Sequence, residues 1–354
     1  MQFLKILLLP FSLLYHWVTK FRNHLYDIDY KKSFQFDTMV LSVGNLSVGG
    51  TGKSPMVEYL IRLLSEENKI TTLSRGYGRK TSGFRLANED DNAATLGDEP
   101  FQFYTKYKEQ INVAVGEERA LAIPQILFEI PDNQIIILDD AYQHRTVTPN
   151  LSILLTAFSN PFYNDSLLPS GRLREARSGA NRADVIVMTK CPNDLSGEAQ
   201  QEMSGKIKAY TKNDTPIFFA GIKYLQPKNI RESDASIFSK NVLLVSGIAN
   251  AAPLEEYVKS NFNLCAHLDF ADHHNYSVKN LLQIKNKFAA IDFEDKVVLT
   301  TEKDAMRLSN EAFKSDLEGL PIFYLPIQTY FLKNGDIFDA NVLQIVNNKE
   351  KTVN

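Results

Sequence analysis

The residues best suited to chemistry stand together near the N-terminal end, in Val43-Gly-Asn-Leu-Ser-Val-Gly-Gly-Thr-Gly-Lys-Ser-Pro55. A phosphate loop aims backbone N–H groups and a helix N-terminus at phosphate oxygens. It needs glycine where a side chain would block that approach or where φ must be positive. Ser47, Val48, Gly49, Gly50, Thr51, Gly52, Lys53 and Ser54 have the composition of such a loop. Lys53 would reach the terminal phosphates of a nucleotide, and Ser54 carries the hydroxyl that usually ligands Mg²⁺. Ser47 occupies the slot where the pattern G-x-x-x-x-G-K-[ST] has its first glycine. A small residue there keeps the loop if its φ is negative. A plain glycine turn is the bland alternative; an apolar stretch before the run and helical spacing after it argue against that.

Such a site also needs an acid at the end of a neighbouring buried strand, to hold the hydration shell of Mg²⁺. Gln134-Ile-Ile-Ile-Leu-Asp-Asp140 fits, ending in Asp139 and Asp140. An apolar strand capped by acids is common, and the pairing with the glycine loop gives it weight. Guanine-specific sites usually carry N/T-K-x-D after a late strand. Met188-Thr-Lys-Cys-Pro192 begins correctly but has Pro192 where the aspartate belongs, which favours ATP over GTP. Arg75, Arg119, Arg172, Arg174 and Arg177 offer planar forks for phosphate, with a solvated helix surface as the alternative.

The elements that must hold these groups alternate. Thr38–Val43, Ile70–Leu73, Val113–Val115, Gln134–Asp140, Leu151–Leu155 and Asp184–Met188 read as strands. Met56–Leu64, Asp98–Tyr107 and Glu117–Phe128 read as helices between them. This predicts a parallel sheet with covering helices, the α/β class of P-loop proteins. Residues 222–238 are polar and broken by Pro227, and a second, smaller alternation follows from Asn241 to Leu325. The predicted organisation is an N-terminal helix over 1–28, a P-loop core over 29–225, and a second α/β/α unit with the C-terminal tail over 226–354.

The bulk numbers fit this division. The chain has 354 residues, 44% of them hydrophobic, and a net charge of −3, which does not suggest a nucleic-acid partner. Its 2 cysteines, Cys191 and Cys265, give neither a disulfide framework nor metal spacing. The N-terminus is unusual. Phe3–Val18 is almost wholly apolar, yet a helix of that length spans roughly 24 Å, short of the roughly 30 Å hydrocarbon core. No signal-peptide cleavage site follows. Tyr15, Trp17, Lys20 and Arg22 suit an interfacial anchor on a membrane surface; a buried core helix is the alternative.

These segments together resemble the tetraacyldisaccharide 4′-kinases of lipid A biosynthesis. The resemblance rests on the loop, Ser74-Arg-Gly-Tyr77, Gly97-Asp-Glu-Pro100, Val115-Gly116 with Arg119, Leu138-Asp-Asp140 with Gln143-His-Arg145, Gly171-Arg-Leu-Arg-Glu175, Val245-Ser-Gly-Ile-Ala249, Asp272-His273 and Thr300-Thr-Glu-Lys-Asp304. Ser47 is the family's habit. The family usually reads DDGFQH where this chain has Asp139-Asp-Ala-Tyr-Gln-His144, so Ala141 and Tyr142 depart from it.

The resemblance implies a kinase at the cytoplasmic face of the inner membrane. It would move the γ-phosphate of ATP to the 4′-hydroxyl of a tetraacylated glucosamine disaccharide 1-phosphate. A membrane-bound P-loop ATPase switch, or a kinase of another sugar, is the competing reading. Lys53 and Asp140 would act at the phosphates; Ser54 and Asp139 would hold Mg²⁺, with Asp140 and Glu175 as further choices. Asp98 and His273 would form the base dyad, although by sequence alone Asp98 reads as a helix cap and His273 as a loop residue. Arg75, Tyr77, Arg119, Gln143, His144 and Arg174 would contact the acceptor.

Overall fold

The computed structural model describes residues 2–231, 237–272 and 274–353. Its strands are β1 (Met39–Asn45), β2 (Ile70–Ser74), β3 (Arg85–Leu86), β4 (Ile111–Val115), β5 (Ile135–Asp139), β6 (Leu151–Ala157), β7 (Val185–Thr189), β8 (Ile217–Tyr224), β9 (Lys228–Asn229), β10 (Asn241–Ser246), β11 (Asn263–Asp269), β12 (Val297–Thr301), β13 (Ile322–Leu325) and β14 (Ile327–Phe331). The helices are α1 (Gln2–Asp27), α2 (Lys53–Leu64), α3 (Ala93–Leu96), α4 (Asp98–Tyr107), α5 (Arg119–Glu129), α6 (Gly197–Lys208), α7 (Ala252–Asn261), α8 (Val278–Ala289), α9 (Glu302–Leu308) and α10 (Gly335–Val353).

The larger sheet runs β14-β8-β7-β6-β1-β5-β2-β4-β3. Everything from β8 to β4 is parallel, and the edge strands β14 and β3 are antiparallel. Parallel strands need crossovers, which bury both faces. The strands therefore show alternation inside continuous apolar runs. Met39, Leu41 and Val43 point into a core with Met56, Leu60 and Phe103, while Val40 turns to a second core with Leu73, Ile123 and Ile136. The smaller sheet runs β11-β10-β12-β13-β9, with only β9 antiparallel. It alternates likewise: Leu243, Val245 and Val298 face one side, Val242, Leu244 and Leu299 the other.

The C-terminal stretch departs from the sequence-based division. The chain leaves the larger sheet after β8, builds the smaller one, and returns at Pro326. β14 pairs with β8, and Phe338, Val342 and Val346 of α10 lie in the larger sheet's core beside Met56 and Phe218. Residues 327–353 therefore pack with the first sheet, where the sequence division had assigned them to the second unit. Their sequence reveals periodicity but not the partner.

α1 is a single helix through Pro10. One face touches the body: the Ser12 hydroxyl donates to Ser170 Oγ at 2.8 Å and Tyr15 OH to the Arg174 carbonyl at 2.8 Å. The other face carries Phe11, Leu14, Trp17, Val18 and Phe21, all exposed. The buried-helix alternative is thus excluded for this face. No described helix is long and apolar enough to cross a membrane.

Candidate active site

The loop after β1 and the acids after β5 meet because the two strands are neighbours, with Val43 in register with Asp139. In such sheets ligands gather at the carboxyl ends of the strands, where crossovers diverge. Gly49 (φ +101) and Gly52 (φ +81) take left-handed backbone, which explains glycine at both positions. The loop is held from outside. Asn45 Nδ2 donates to the Ser47 carbonyl at 2.7 Å and to Thr51 Oγ1 at 2.8 Å. Thr189 Oγ1 donates to the Thr51 carbonyl at 2.7 Å and Lys190 Nζ to the Gly50 carbonyl at 2.7 Å. With these carbonyls tied outward, the N–H groups of Gly49 to Gly52 have no protein acceptor among the described residues. The Val48 N–H is instead spent on the Arg172 carbonyl at 2.8 Å, and Ser47 is buried. Those two residues shape the loop; Gly49 to Ser54 remain for an anion.

Lys53 opens α2 with its Nζ 3.6 Å from Asp140 Oδ1. Arg174 grips both oxygens of Asp140, at 2.9 and 3.0 Å. Burial alone would raise the Asp140 pKa, but Lys53 and Arg174 outweigh it and hold the carboxyl below its ordinary value. Asp139 is the opposite case. It is fully enclosed, its Oδ1 has no partner among the described residues, and Ser74 Oγ reaches Oδ2 only at 3.4 Å. Burial, then repulsion by Asp140, pushes it up to about 6. A buried carboxylate oxygen without a donor, beside a phosphate loop, fits a hydrated cation. Among the described residues no group of three or more His, Cys, Asp or Glu forms a metal cluster.

Several sequence candidates are already paired within the protein. Glu175, offered as a metal ligand, accepts from Asn23 (3.0 Å), Gln143 (2.9 Å) and Arg182 (2.9 Å to each oxygen). Its carboxylate is engaged in joining α1 to the body. Arg119, offered as an acceptor contact, is 0% exposed. It donates to the Gly116 and Asp139 carbonyls at 2.7 and 3.3 Å and sits beneath the acids as a buried counter-charge. Burial lowers its pKa to about 10 against the pull of Asp139 and Asp140. Arg174 is committed to Asp140. Gln143 bridges the Asn45 carbonyl and Glu175, both at 2.9 Å. His144 is half-buried; burial, with Arg119 and Arg75 nearby, lowers it to about 4, so it is neutral at pH 7. Arg75 is exposed and makes no hydrogen bond or ion pair among the described residues, and Tyr77 is 73% exposed. Both are therefore accessible to a ligand.

The family departures fit locally. The left-handed residue is Asp140 (φ 49). Ala141, buried beside Val147 and Leu138, takes no positive φ and needs no glycine. The Tyr142 hydroxyl donates to the Gly179 carbonyl at 2.8 Å, and Arg182 lies over its ring.

Asp98 begins α4 behind Gly97. Arg307 of α9 donates to its Oδ2 from Nε at 2.9 Å and from Nη2 at 2.6 Å. Lys303 pairs with Glu99 at 2.5 Å, and Lys106 with Glu302 at 2.6 Å. Sequence reading missed this seam, because no spacing in one helix reveals a partner 209 residues away. His273, the proposed partner of Asp98, lies outside the described residues.

A glycine loop with unspent N–H groups, a helix-borne lysine and a strand-end acid on a parallel sheet define a P-loop nucleotide-binding protein. The chain belongs to the tetraacyldisaccharide-1-P 4′-kinase family, whose model matches residues 4–347. It is 45% identical to a tetraacyldisaccharide 4′-kinase of Flavobacterium johnsoniae over 98% of each chain. It is 38% identical to one of Bacteroides thetaiotaomicron over 98% of this chain and 94% of the relative. The fold matches crystalline LpxK from Aquifex aeolicus in complex with ATP, with TM-score 0.76 and 28% identity over 97% of this chain and 99% of that one.

Proposed function

We infer that this protein transfers the γ-phosphate of ATP to the 4′-hydroxyl of a tetraacylated disaccharide 1-phosphate; its relatives are named tetraacyldisaccharide 4′-kinases. The observation that carries the reading is the set of unspent N–H groups from Gly49 to Gly52 beside Lys53 and the two acids. Phosphoryl transfer asks for positioning and charge neutralisation more than covalent help. Gly49–Gly52 would cradle the phosphates, and Lys53 would turn from Asp140 toward their negative charge. Asp139 and Ser54 would hold Mg²⁺, which when bound neutralises charge on the transferring group. Asp98, with His273, would accept the proton of the sugar hydroxyl. Arg75 and Tyr77 are the exposed groups suited to the acceptor headgroup.

The substrate's acyl chains keep it in a bilayer, each buried CH₂ being worth about 0.8 kcal/mol. The exposed apolar face of α1, with Lys20 over the Trp17 ring at 5.6 Å, would seat the enzyme on that surface. We place it at the cytoplasmic face of the inner membrane, where ATP is available.

Transfer of ³²P from [γ-³²P]ATP to the disaccharide 1-phosphate in detergent micelles tests the reading. The parent should transfer, and Asp98→Ala and His273→Ala should lose most of the rate with ATP binding intact. A folded, ATP-binding parent that transfers nothing would overturn the acceptor assignment.

A further inference from the structure

The contact between Arg307 and Asp98 differs from an ordinary seam pair. Arg307 is fixed before it meets Asp98. Its Nη1 donates to Asp304 Oδ1 at 3.0 Å and to the Gly247 carbonyl at 3.2 Å. Asp304 is itself fully buried, and its Oδ2 accepts the Gly247 N–H at 2.9 Å and the Thr301 hydroxyl at 2.7 Å. The guanidinium is thus anchored to the smaller sheet's loop after β10 and to the cap of α9. Nε and Nη2 then both donate to one oxygen of Asp98, Oδ2. Arg174 grips both oxygens of Asp140; Arg307 holds Asp98 by one edge. Two donors converging on Oδ2 fix the position of that oxygen, and with it how far the Asp98 side chain reaches from α4. Planar forks give such geometric control where a lysine ammonium does not.

We propose that Arg307 is a positioning residue for phosphoryl transfer: it orients the Asp98 carboxylate toward the acceptor hydroxyl. The proposal rests on the reading above that Asp98 acts at that hydroxyl. Its consequence is that the orientation of a group on α4 depends on the docking of α9, so the acceptor site is complete only when both sheets are in place. The other pairs along the seam, Lys106–Glu302 and Lys303–Glu99, hold the two units together without touching Asp98.

The test is a cycle of Asp98→Asn, Arg307→Met and the double variant, with Arg307→Lys and Lys106→Met beside them. kcat, KM for each substrate, ATP affinity by equilibrium binding and melting temperature are measured on the full chain. A misplaced catalytic group costs about 100-fold. Arg307→Met should therefore lower kcat by roughly 30- to 100-fold with ATP affinity within about twofold. Arg307→Lys should recover only part of the loss. In the Asp98→Asn background, Arg307→Met should change kcat by less than about twofold, because the group it positions is gone. Lys106→Met should lower the melting temperature with kcat nearly unchanged. Equal losses from Arg307→Met in both backgrounds, or a fall in ATP affinity matching the fall in kcat, would overturn the proposal. If Arg307→Met does not fold, Arg307→Lys takes its place in the cycle with the same criterion. If Asp98→Asn alone keeps the parent kcat, the role of Asp98 itself fails, a result distinct from additivity.

Discussion

Asp139 and Asp140 are adjacent in the chain and shifted in opposite directions. Burial, then Asp140, pushes Asp139 up to about 6, while Lys53 and Arg174 hold Asp140 below its ordinary value against burial. An acid whose folded pKa lies above its unfolded 3.8 costs no stability at pH below 3.8. The liability builds as pH rises from there to about 6, above which the folded state must ionise it too. At pH 8 without ligand the cost is about 3 kcal/mol. Asp139→Asn should therefore be more stable than the parent at pH 8 by an amount of that order, and no more stable at pH 4, while losing transfer. Urea melts of both proteins at the two pH values measure it; an equal difference at both would show that the acid is not strained by its burial.

The sheet order explains why this pair was legible. An apolar run ending in two acids and a glycine loop after a similar run are local patterns, and neighbouring strands bring them together without further information. The burial of Arg119 could not be read from the sequence, because a phosphate-binding arginine and a buried counter-charge have the same letter. Only the packing of α5 against β5 separates them. The partners of Glu175 were hidden for a related reason: its donors come from residues 23, 143 and 182, so its pairing is a tertiary fact. The seam between α4 and α9 was invisible, since Asp98, Glu99 and Lys106 look like the ordinary charges of an amphipathic helix. Residues 327–353 show the limit for architecture, because the alternation of elements carries no statement of which sheet a late strand rejoins.

Tyr142 offers a small, sharp check on the stretch where the chain departs from its family. Its hydroxyl donates to the buried Gly179 carbonyl, and Tyr142→Phe leaves that acceptor unpaired. The cost should be about 1 kcal/mol in stability. ATP affinity and transfer should change by less than about twofold, because the hydroxyl bonds the Gly179 carbonyl and no group of the phosphate loop. A large loss of transfer in a stable Tyr142→Phe protein would mean that this hydroxyl also orders Asp140.

Lys106 is the hub of a buried charge cluster. It pairs with Glu58 of α2 and Glu302 of α9, each at 2.6 Å, and both carboxylates are buried. Burial acts against the ammonium, but Glu58 and Glu302 together raise the Lys106 pKa well above its ordinary value. Lys106→Met leaves two enclosed acids facing each other, and breaking such a pair by removing one partner costs about 3–5 kcal/mol. The loss should be largest above the carboxylate range and shrink in acid, where Glu302, raised by burial and then by Glu58, takes up a proton. Denaturant midpoints at pH 7.5 and 5 decide this. A midpoint within error of the parent at both would place the stability of the seam elsewhere.

The exposed face of α1 calls for point substitutions in place of deletion. Asn23 donates to Glu175, and Arg22 donates to the Gln143 carbonyl at 2.7 Å, so removing residues 1–28 would strip contacts from the site as well as the apolar surface. Leu14, Trp17 and Phe21, each about two-thirds exposed, make none of those contacts. Burying such side chains in a membrane interface is worth roughly 1.5–3 kcal/mol apiece. Changing all three to Gln should lower partition onto vesicles of phosphatidylethanolamine and phosphatidylglycerol by at least about tenfold, even if each side chain is only partly immersed. Equilibrium ATP binding should hold, since the polar face of the helix is untouched. Transfer should fall more on substrate carried in vesicles than on substrate in dilute micelles, where diffusion replaces surface residence. Unchanged vesicle partition would sink the membrane-docking role of this face, and a matching loss of ATP binding would show instead that α1 acts through its packing on Glu175 and Gln143.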